Sequence, residues 1–416
     1  MSPSRRTRIR PCTVSIINCQ ASLNLQPPYT MRSNNSTNFC LLVLFTILIV
    51  PILVACTGNV ESKSDGWNPV VSVNGEVYIG TKSGEVIAVL DDGSGNLQDK
   101  WLFPSNQGQE NLSGVYNTPV VHGNLVYVNG IDGFLYAIDR ETGQLTGDGW
   151  KRPESFFEEP KPLVAGPAYD PSNDIILSPS EDGKVYAYTA KNGNEFWDPF
   201  LTGGPIWSTP AVQDGFAYFG SHDHKVYAVN LSDGQERWQF ETEGVVAGKP
   251  LVFDGKVIAG SFDKKLYALS LEDGSAQWSL EGDNWFWAGA ITDGRTIFAP
   301  NMDGNIYALD RSGNLLWKHD VGSAIVSTPV LVPNGLVVAA KDGNLLLLDT
   351  STDNLGLRRV LFNQKIGDAD IKAPLFAVGD SVYVGSQDKT VRRIDFKGGQ
   401  RNVWCLDTQG EAGCLN

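Results

Sequence analysis

The stretch Ala228-Val-Asn-Leu-Ser-Asp-Gly-Gln-Glu-Arg-Trp238 returns forty residues later as Ala268-Leu-Ser-Leu-Glu-Asp-Gly-Ser-Ala-Gln-Trp278. Both keep a small residue, an Asp-Gly pair and a tryptophan at the same offsets. A fixed period of this length marks a chain built from stacked copies of one unit, and it has to be read before any single element. Working outward, the alanine or its equivalent falls at Ala88, Ala137, Ala187, Ala228, Ala268, Ala308, Leu347 and Arg393. The tryptophan recurs at Trp101, Trp150, Trp197, Trp238, Trp278, Trp317 and Trp404, and the seventh unit lacks it.

Each unit opens on a Pro-apolar strand and passes a glycine turn into a Val/Ile/Tyr-rich strand. An Asp-Gly or similar turn then leads to the Tyr-Ala strand, and a second turn to the tryptophan strand. Asp-Gly pairs at 132–133, 182–183, 303–304 and 342–343 suit tight hairpins, which need positive backbone dihedrals. Four short strands in about 40 residues describe one blade of a propeller. The sequence therefore predicts an all-β, eight-bladed β-propeller of four-stranded antiparallel blades over residues 67–416. Blades should begin near Pro69, Pro119, Pro167, Pro210, Pro250, Ala290, Pro329 and Pro374. The eighth is the most divergent, because Arg392-Arg393 replaces Tyr-Ala. No sustained 3.6-residue period suggests helices.

Ala137-Ile-Asp139-Arg-Glu-Thr142-Gly143 resembles the Ala-x-Asp-x-x-Thr-Gly motif of pyrroloquinoline-quinone repeats, and the units ending at Trp197, Trp238 and Trp278 keep its spacing with substitutions. The resemblance covers residues 67–416. It implies tryptophans that dock neighbouring blades. Two groups share this architecture. One comprises quinone- and calcium-dependent dehydrogenases; the other is the BamB-like group of lipoproteins of the outer-membrane β-barrel assembly machinery, which act as scaffolds without a cofactor.

The chain is 42% hydrophobic with a net charge of −14, enough apolar residues for a large core. Its five N-terminal arginines lie before residue 56, so the remainder is more acidic still. Such a surface repels phosphate backbones, which argues against a nucleic-acid partner. Leu41 to Val54 is a short apolar stretch ending in Leu53-Val54-Ala55-Cys56. This has the pattern of a signal peptide, and Leu-Val-Ala-Cys resembles the bacterial lipobox, in which Cys56 would carry the lipid. The alternative, an uncleaved membrane anchor, suffers from Pro51 and from a run shorter than the roughly 20 residues a spanning helix needs. Met31-Arg32 would open an ordinary signal peptide, so residues 1–30 are read as a start-site artefact, 31–55 as the signal and 56–66 as a tether. Of six cysteines, only Cys405 and Cys414 then belong to the folded body. In an exported chain they are expected to form one disulfide.

No catalytic set stands out. His222-Asp223-His224 has the look of a metal motif, but it aligns with Phe262-Asp263-Lys264 and Met302-Asp303-Gly304, which makes it a hairpin turn. No metal site is expected. The departures from the repeat are more informative. Where other units enter a blade on Gly-Val-Val-Ala-Gly or Gly-Ser-Ala-Ile-Val-Ser, residues 283–287 read Asp-Asn-Trp-Phe-Trp. Trp207 and Tyr116 hold similar places, and Asp370 and Lys372 precede the last blade. Repeat symmetry puts such loops on one face. Tyr116, Trp207, Trp285, Trp287, Asp370 and Lys372 are therefore the candidate ligand- or partner-binding residues at one mouth of the channel. The competing reading is that Trp285 and Trp287 plug the channel or pack between blades. The long loops Ser105 to Tyr116 and Lys151 to Pro162, the latter with Phe156-Phe157, offer a further contact patch.

These readings favour a lipid-anchored cell-envelope scaffold that binds other envelope or secreted proteins or extended peptides, as a monomer or as a subunit of a larger complex. It would sit on the outer membrane facing the periplasm, or on the outer face of the cytoplasmic membrane. A pyrroloquinoline-quinone- and calcium-dependent dehydrogenase and a surface carbohydrate-binding propeller are the alternatives.

Overall fold

A computed structural model describes residues 67–105, 111–145, 149–153, 159–352, 359–397 and 401–408. The signal segment, Cys56, the Phe156-Phe157 patch and Cys414 lie outside them. The described residues form eight four-stranded antiparallel sheets, each in simple up-and-down order, and no helix. Their inner strands are Val70–Val73, Val120–His122, Ala168–Asp170, Ala211–Gln213, Leu251–Phe253, Ile291–Thr292, Val330–Val332 and Phe376–Val378. Each begins one or two residues after the start expected from the repeat, so the eight-bladed reading holds.

The register shows why the repeat alternates small and large residues. In the first six blades the alanine of the third strand stands opposite the tryptophan of the fourth, as Ala228 opposite Trp238 and Ala268 opposite Trp278, and in the eighth Arg393 takes the alanine's place opposite Trp404. In the seventh, Leu347 faces Phe362, which fills the place of the missing tryptophan. Each indole then crosses to the next blade. The Trp101 N–H donates to the carbonyl of Arg140 at 2.8 Å, and Trp150, Trp197 and Trp238 donate in the same way to Ala190, Leu231 and Leu271. The motif glycine of the next blade lies under that ring. At Gly274, where φ is +73°, an added Cβ would stand 2.7 Å from the Trp238 ring. The motif glycine is thus needed twice, for its left-handed backbone and for the space it leaves the preceding tryptophan. Trp317 differs: the guanidinium of Arg359 covers its ring at 3.9 Å.

The turn aspartates serve the fold, as the repeat alignment requires. Asp223 accepts from the Lys225 backbone N–H at 3.1 Å and from the Tyr227 hydroxyl at 2.6 Å. Asp263 with Tyr267 and Asp303 with Tyr307 repeat the arrangement. In the divergent eighth blade Arg392 reaches Asp388 instead, at 3.6 Å.

Arg393 explains the other half of that divergence. It closes the ring. Its guanidinium meets both oxygens of Asp91 in the first blade at 2.8 and 2.9 Å. The same carboxylate accepts from the Trp404 indole at 3.0 Å and the Tyr383 hydroxyl at 3.3 Å. Asp91 and Arg393 side chains are 2% and 10% exposed, so the pair is withdrawn from water and joins the first blade to the last. Cys405 is disulfide-bonded; its expected partner lies outside the described residues.

Candidate functional site

Each loop that enters a blade is built alike. A middle residue is buried in the interblade core: Val115, Leu163, Ile206, Val246, Phe286, Ile325 and Ile371 are at most 3% exposed. Its N–H is held by the preceding blade's hairpin, as Val246 by Ser221 and Phe286 by Ser261. The residue before it is held by its own blade's hairpin: His222 N–H donates to Pro205, Phe262 to Val245, Met302 to Trp285 and Gln387 to Asp370, all at 2.9–3.0 Å. Two hairpins thus clamp each loop. The residues flanking the buried one are left at the rim of the channel. In three of these seven loops both are small or aliphatic, as Val245 and Ala247, or Ala324 and Val326.

Trp285 and Trp287 flank Phe286, and Trp207 follows Ile206. The three indoles form one arc. The Phe262 ring lies between Trp285 (4.6 Å between centroids, 5° between planes) and Trp287 (5.0 Å, 18°). Trp287 approaches Trp207 at 6.1 Å, and Trp207 meets His222 edge-on at 4.3 Å. The Trp207 N–H donates to Glu181 at 2.7 Å. Burial, and then the adjacent His224, hold His222 below its ordinary pKa, so it packs as a neutral ring. The rings are not packed between blades. Trp285 is 39% exposed, and Trp207 and Trp287 are half-buried. The sequence reading placed Phe262 and His222 only as hairpin turn residues, because they lie some 15–25 positions from the loops they join.

Tyr116, Lys372, Trp207 and Trp287 line one cavity on the ring axis, to which all eight blades contribute. Tyr116 stacks on Trp67 at 5.9 Å. Asp370 stands beside the cavity, paired at 3.7 Å with both Lys341 and Lys372. Trp285 lies outside the cavity, on the exposed end of the arc. The lining also includes Lys249, which the sequence reading missed. The available signal was Gly-Lys-Pro at 248–250, where other units read Asn-Thr-Pro at 117–119 and Ser-Thr-Pro at 208–210 and 327–329.

A calcium centre of the dehydrogenase kind needs carboxylate and carbonyl oxygens converging on one point. The cavity lining supplies two lysines and no carboxylate. Among the described residues no cluster of three or more His, Cys, Asp or Glu is placed to hold a metal. His222-Asp223-His224 is the hairpin turn its alignment indicated. The described residues that line this cavity do not fit calcium.

Eight blades, tryptophans docked on motif glycines and a clamped ring of entering loops define a propeller of pyrroloquinoline-quinone-like repeats. Within that class the chain belongs to the family described as outer membrane protein assembly factor BamB, whose model matches residues 57–146 and 181–402. A relative named outer membrane protein assembly factor BamB, from Moranella endobia (strain PCIT), is 28% identical over 129 residues. That match covers 30% of this chain and spans only about a third, 32%, of the relative. Among solved structures, BamB from Moraxella catarrhalis superposes with a TM-score of 0.63 at 17% identity, covering 80% of this chain and 95% of that one. The computationally designed Ika8 protein gives 0.64 at 16% identity, covering 79% and 96%. A europium-containing methanol dehydrogenase gives 0.59 at 14% identity, covering 80% and 82%. At such identities these structures speak for the fold alone.

Proposed function

We propose that the chain is a lipid-anchored envelope scaffold, working without a cofactor, that holds segments of other envelope proteins on the aromatic arc at one mouth of its channel. Membership of the BamB family supports the setting, an assembly complex at the outer membrane. The observation that carries the site is the Trp285–Phe262–Trp287–Trp207 arc. Exposed aromatic rings held rigid before binding lose little entropy when a partner covers them, and such rings dominate interface energies. The anchor rests on Leu53-Val54-Ala55-Cys56, with the family match beginning at residue 57, directly after Cys56.

Two experiments test the reading. A photo-crosslinking side chain at exposed Asp283, beside the arc, should capture a defined envelope protein in cells, whereas one at exposed Gln277 on the outer strand Ala276–Glu281 should not. Equal capture at both, or none at Asp283, would remove the site. Fatty-acid labelling should mark the wild-type chain and not Cys56→Ala; a labelled variant would remove the anchor.

A further inference from the structure

The fold begins at the mouth that carries the arc. Trp67, the first described residue, lines the axial cavity together with Trp207 and Trp287 and stacks on Tyr116 at 5.9 Å. Two hydrogen bonds fix the chain just beyond it. Asn68, 1% exposed, donates from Nδ2 to the Ser386 carbonyl of the last blade at 3.0 Å. The Pro69 carbonyl accepts from the Gly80 N–H, also at 3.0 Å. The point at which the chain enters the propeller is therefore fixed, and it lies on the same cavity as two of the arc's indoles.

Residues 57–66 separate Trp67 from Cys56. Fully extended, a segment of that length spans about 33–36 Å, and as a flexible coil it averages about 16–19 Å. A lipid on Cys56 would hold the mouth within that range of the bilayer. The opposite end of the blades cannot take its place. Neighbouring strands lie about 4.8 Å apart, and a strand rises about 3.3 Å per residue. To bring the far end to the bilayer, the tether would have to cross three strand spacings to the outer edge of the first blade. It would then run the length of a strand such as Val86–Asp91, roughly 35 Å in all. That uses its whole extended length and locks every residue of it straight, at a conformational cost on the order of 1–2 kcal/mol per residue.

We propose that the mouth bearing the arc is turned toward the membrane surface, and that the segments it holds are the membrane-proximal parts of envelope proteins. This rests on the anchor and on the arc as proposed above. It adds the direction in which the site faces and the class of segment that can reach it.

The test is energy transfer on the full lipidated chain in vesicles, from a fluorescent amino acid to a headgroup-labelled lipid. The donor is placed at exposed Glu243, in the loop entering the fifth blade, or at exposed Gln213, at the far end of the fourth. The strand Lys225–Asn230 runs between these two ends, so the positions differ by about 20 Å along the axis. Transfer from Glu243 should exceed transfer from Gln213. Inserting about 20 glycine and serine residues after Val60 should erase the difference, because the lengthened tether averages about 27–33 Å and lets either end approach. The same insertion should lower capture at Asp283 by about fivefold, since effective concentration falls with roughly the −3/2 power of linker length. Equal transfer from the two positions, stronger transfer from Gln213, or capture unchanged by the insertion would each overturn the proposal. Failure of its foundations gives different results. A wild-type chain that leaves the vesicles as Cys56→Ala does removes the anchor, and no capture at Asp283 removes the arc; a mouth that merely faces elsewhere does neither.

Discussion

Replacing Asp91 by alanine should open the ring at its seam. Asp91 and Arg393 lie 302 positions apart in sequence and meet at 2.8 and 2.9 Å with little access to water. Burial alone would raise the Asp91 pKa. Hydrogen bonds from the Trp404 indole, the Gly93 N–H and Arg393 outweigh it, and the carboxyl titrates below its usual range. The variant strips the buried guanidinium of its two short contacts, leaving it only Asp395 at 3.4 Å and the Ser381 hydroxyl, and removes an acceptor from Trp404 and Tyr383. Breaking a buried pair from one side costs about 3–5 kcal/mol. For a body of about 350 residues, unfolding entropy near 2.1 cal/mol/K per residue gives about 0.7 kcal/mol/K, so the melting temperature should fall by about 4–7 °C. Calorimetric scans of Asp91→Ala, Arg393→Ala and the double variant form a cycle. The double variant should cost less than the sum of the singles by more than about 1 kcal/mol, because it strands no charge. A fall under about 1 °C for Asp91→Ala, or strict additivity, would refute the seam as a clasp.

Two further predictions concern interblade contacts. Burial raises the Glu76 pKa, but hydrogen bonds from Lys100, Tyr78 and Arg140 outweigh it and bring the carboxyl from 4.5 to about 2. A depressed folded-state value means that its stabilisation is complete above pH 4.5 and lost as pH falls toward about 2. Glu76→Gln should therefore destabilise the protein at neutral pH and shallow the decline in melting temperature across that acid window; an unchanged acid limb would show Glu76 to be unimportant. Gly274→Ala should cost at least about 1 kcal/mol more than Gly255→Ala. Both glycines have φ near +70°, but only Gly274 lies under a tryptophan, while nothing stands within 4 Å of an added Cβ at Gly255. Equal costs in urea unfolding would contradict the docking of Trp238 on the next blade.

The blade count was legible because one physical demand recurs eight times. Each third strand sets one residue, alanine in six blades, opposite the aromatic residue of the fourth, and that pairing leaves a spacing visible without coordinates. Phe362 and Arg393 break the spelling but keep the places. What Arg393 does was not legible, since its partner belongs to the other end of the chain. The rim residues could be read as departures from the repeat, because loops such as Gly-Val-Val-Ala-Gly at 244–248 keep the flanking positions small or aliphatic. Their assembly into an arc could not, because Phe262 and His222 enter from hairpins whose local role is simply to turn. Lys249 was overlooked for a related reason. In sequence it is one polar residue among threonines, and only ring closure places it on a cavity to which all eight blades contribute.

The most direct test of the central claim is the affinity of the purified chain for the envelope protein captured at Asp283, measured together with the melting temperature in Trp285→Ala and Trp287→Ala. Removing an interface anchor costs about 2 kcal/mol or more, roughly a thirtyfold loss. Trp285, at 39% exposure, should show that loss with its melting temperature nearly unchanged, and Trp287 should show it with a modest decrease. Unchanged affinity, or a fall in melting temperature of the size expected for a buried indole, about 3–5 kcal/mol, would make the arc a structural element and contradict the scaffold site.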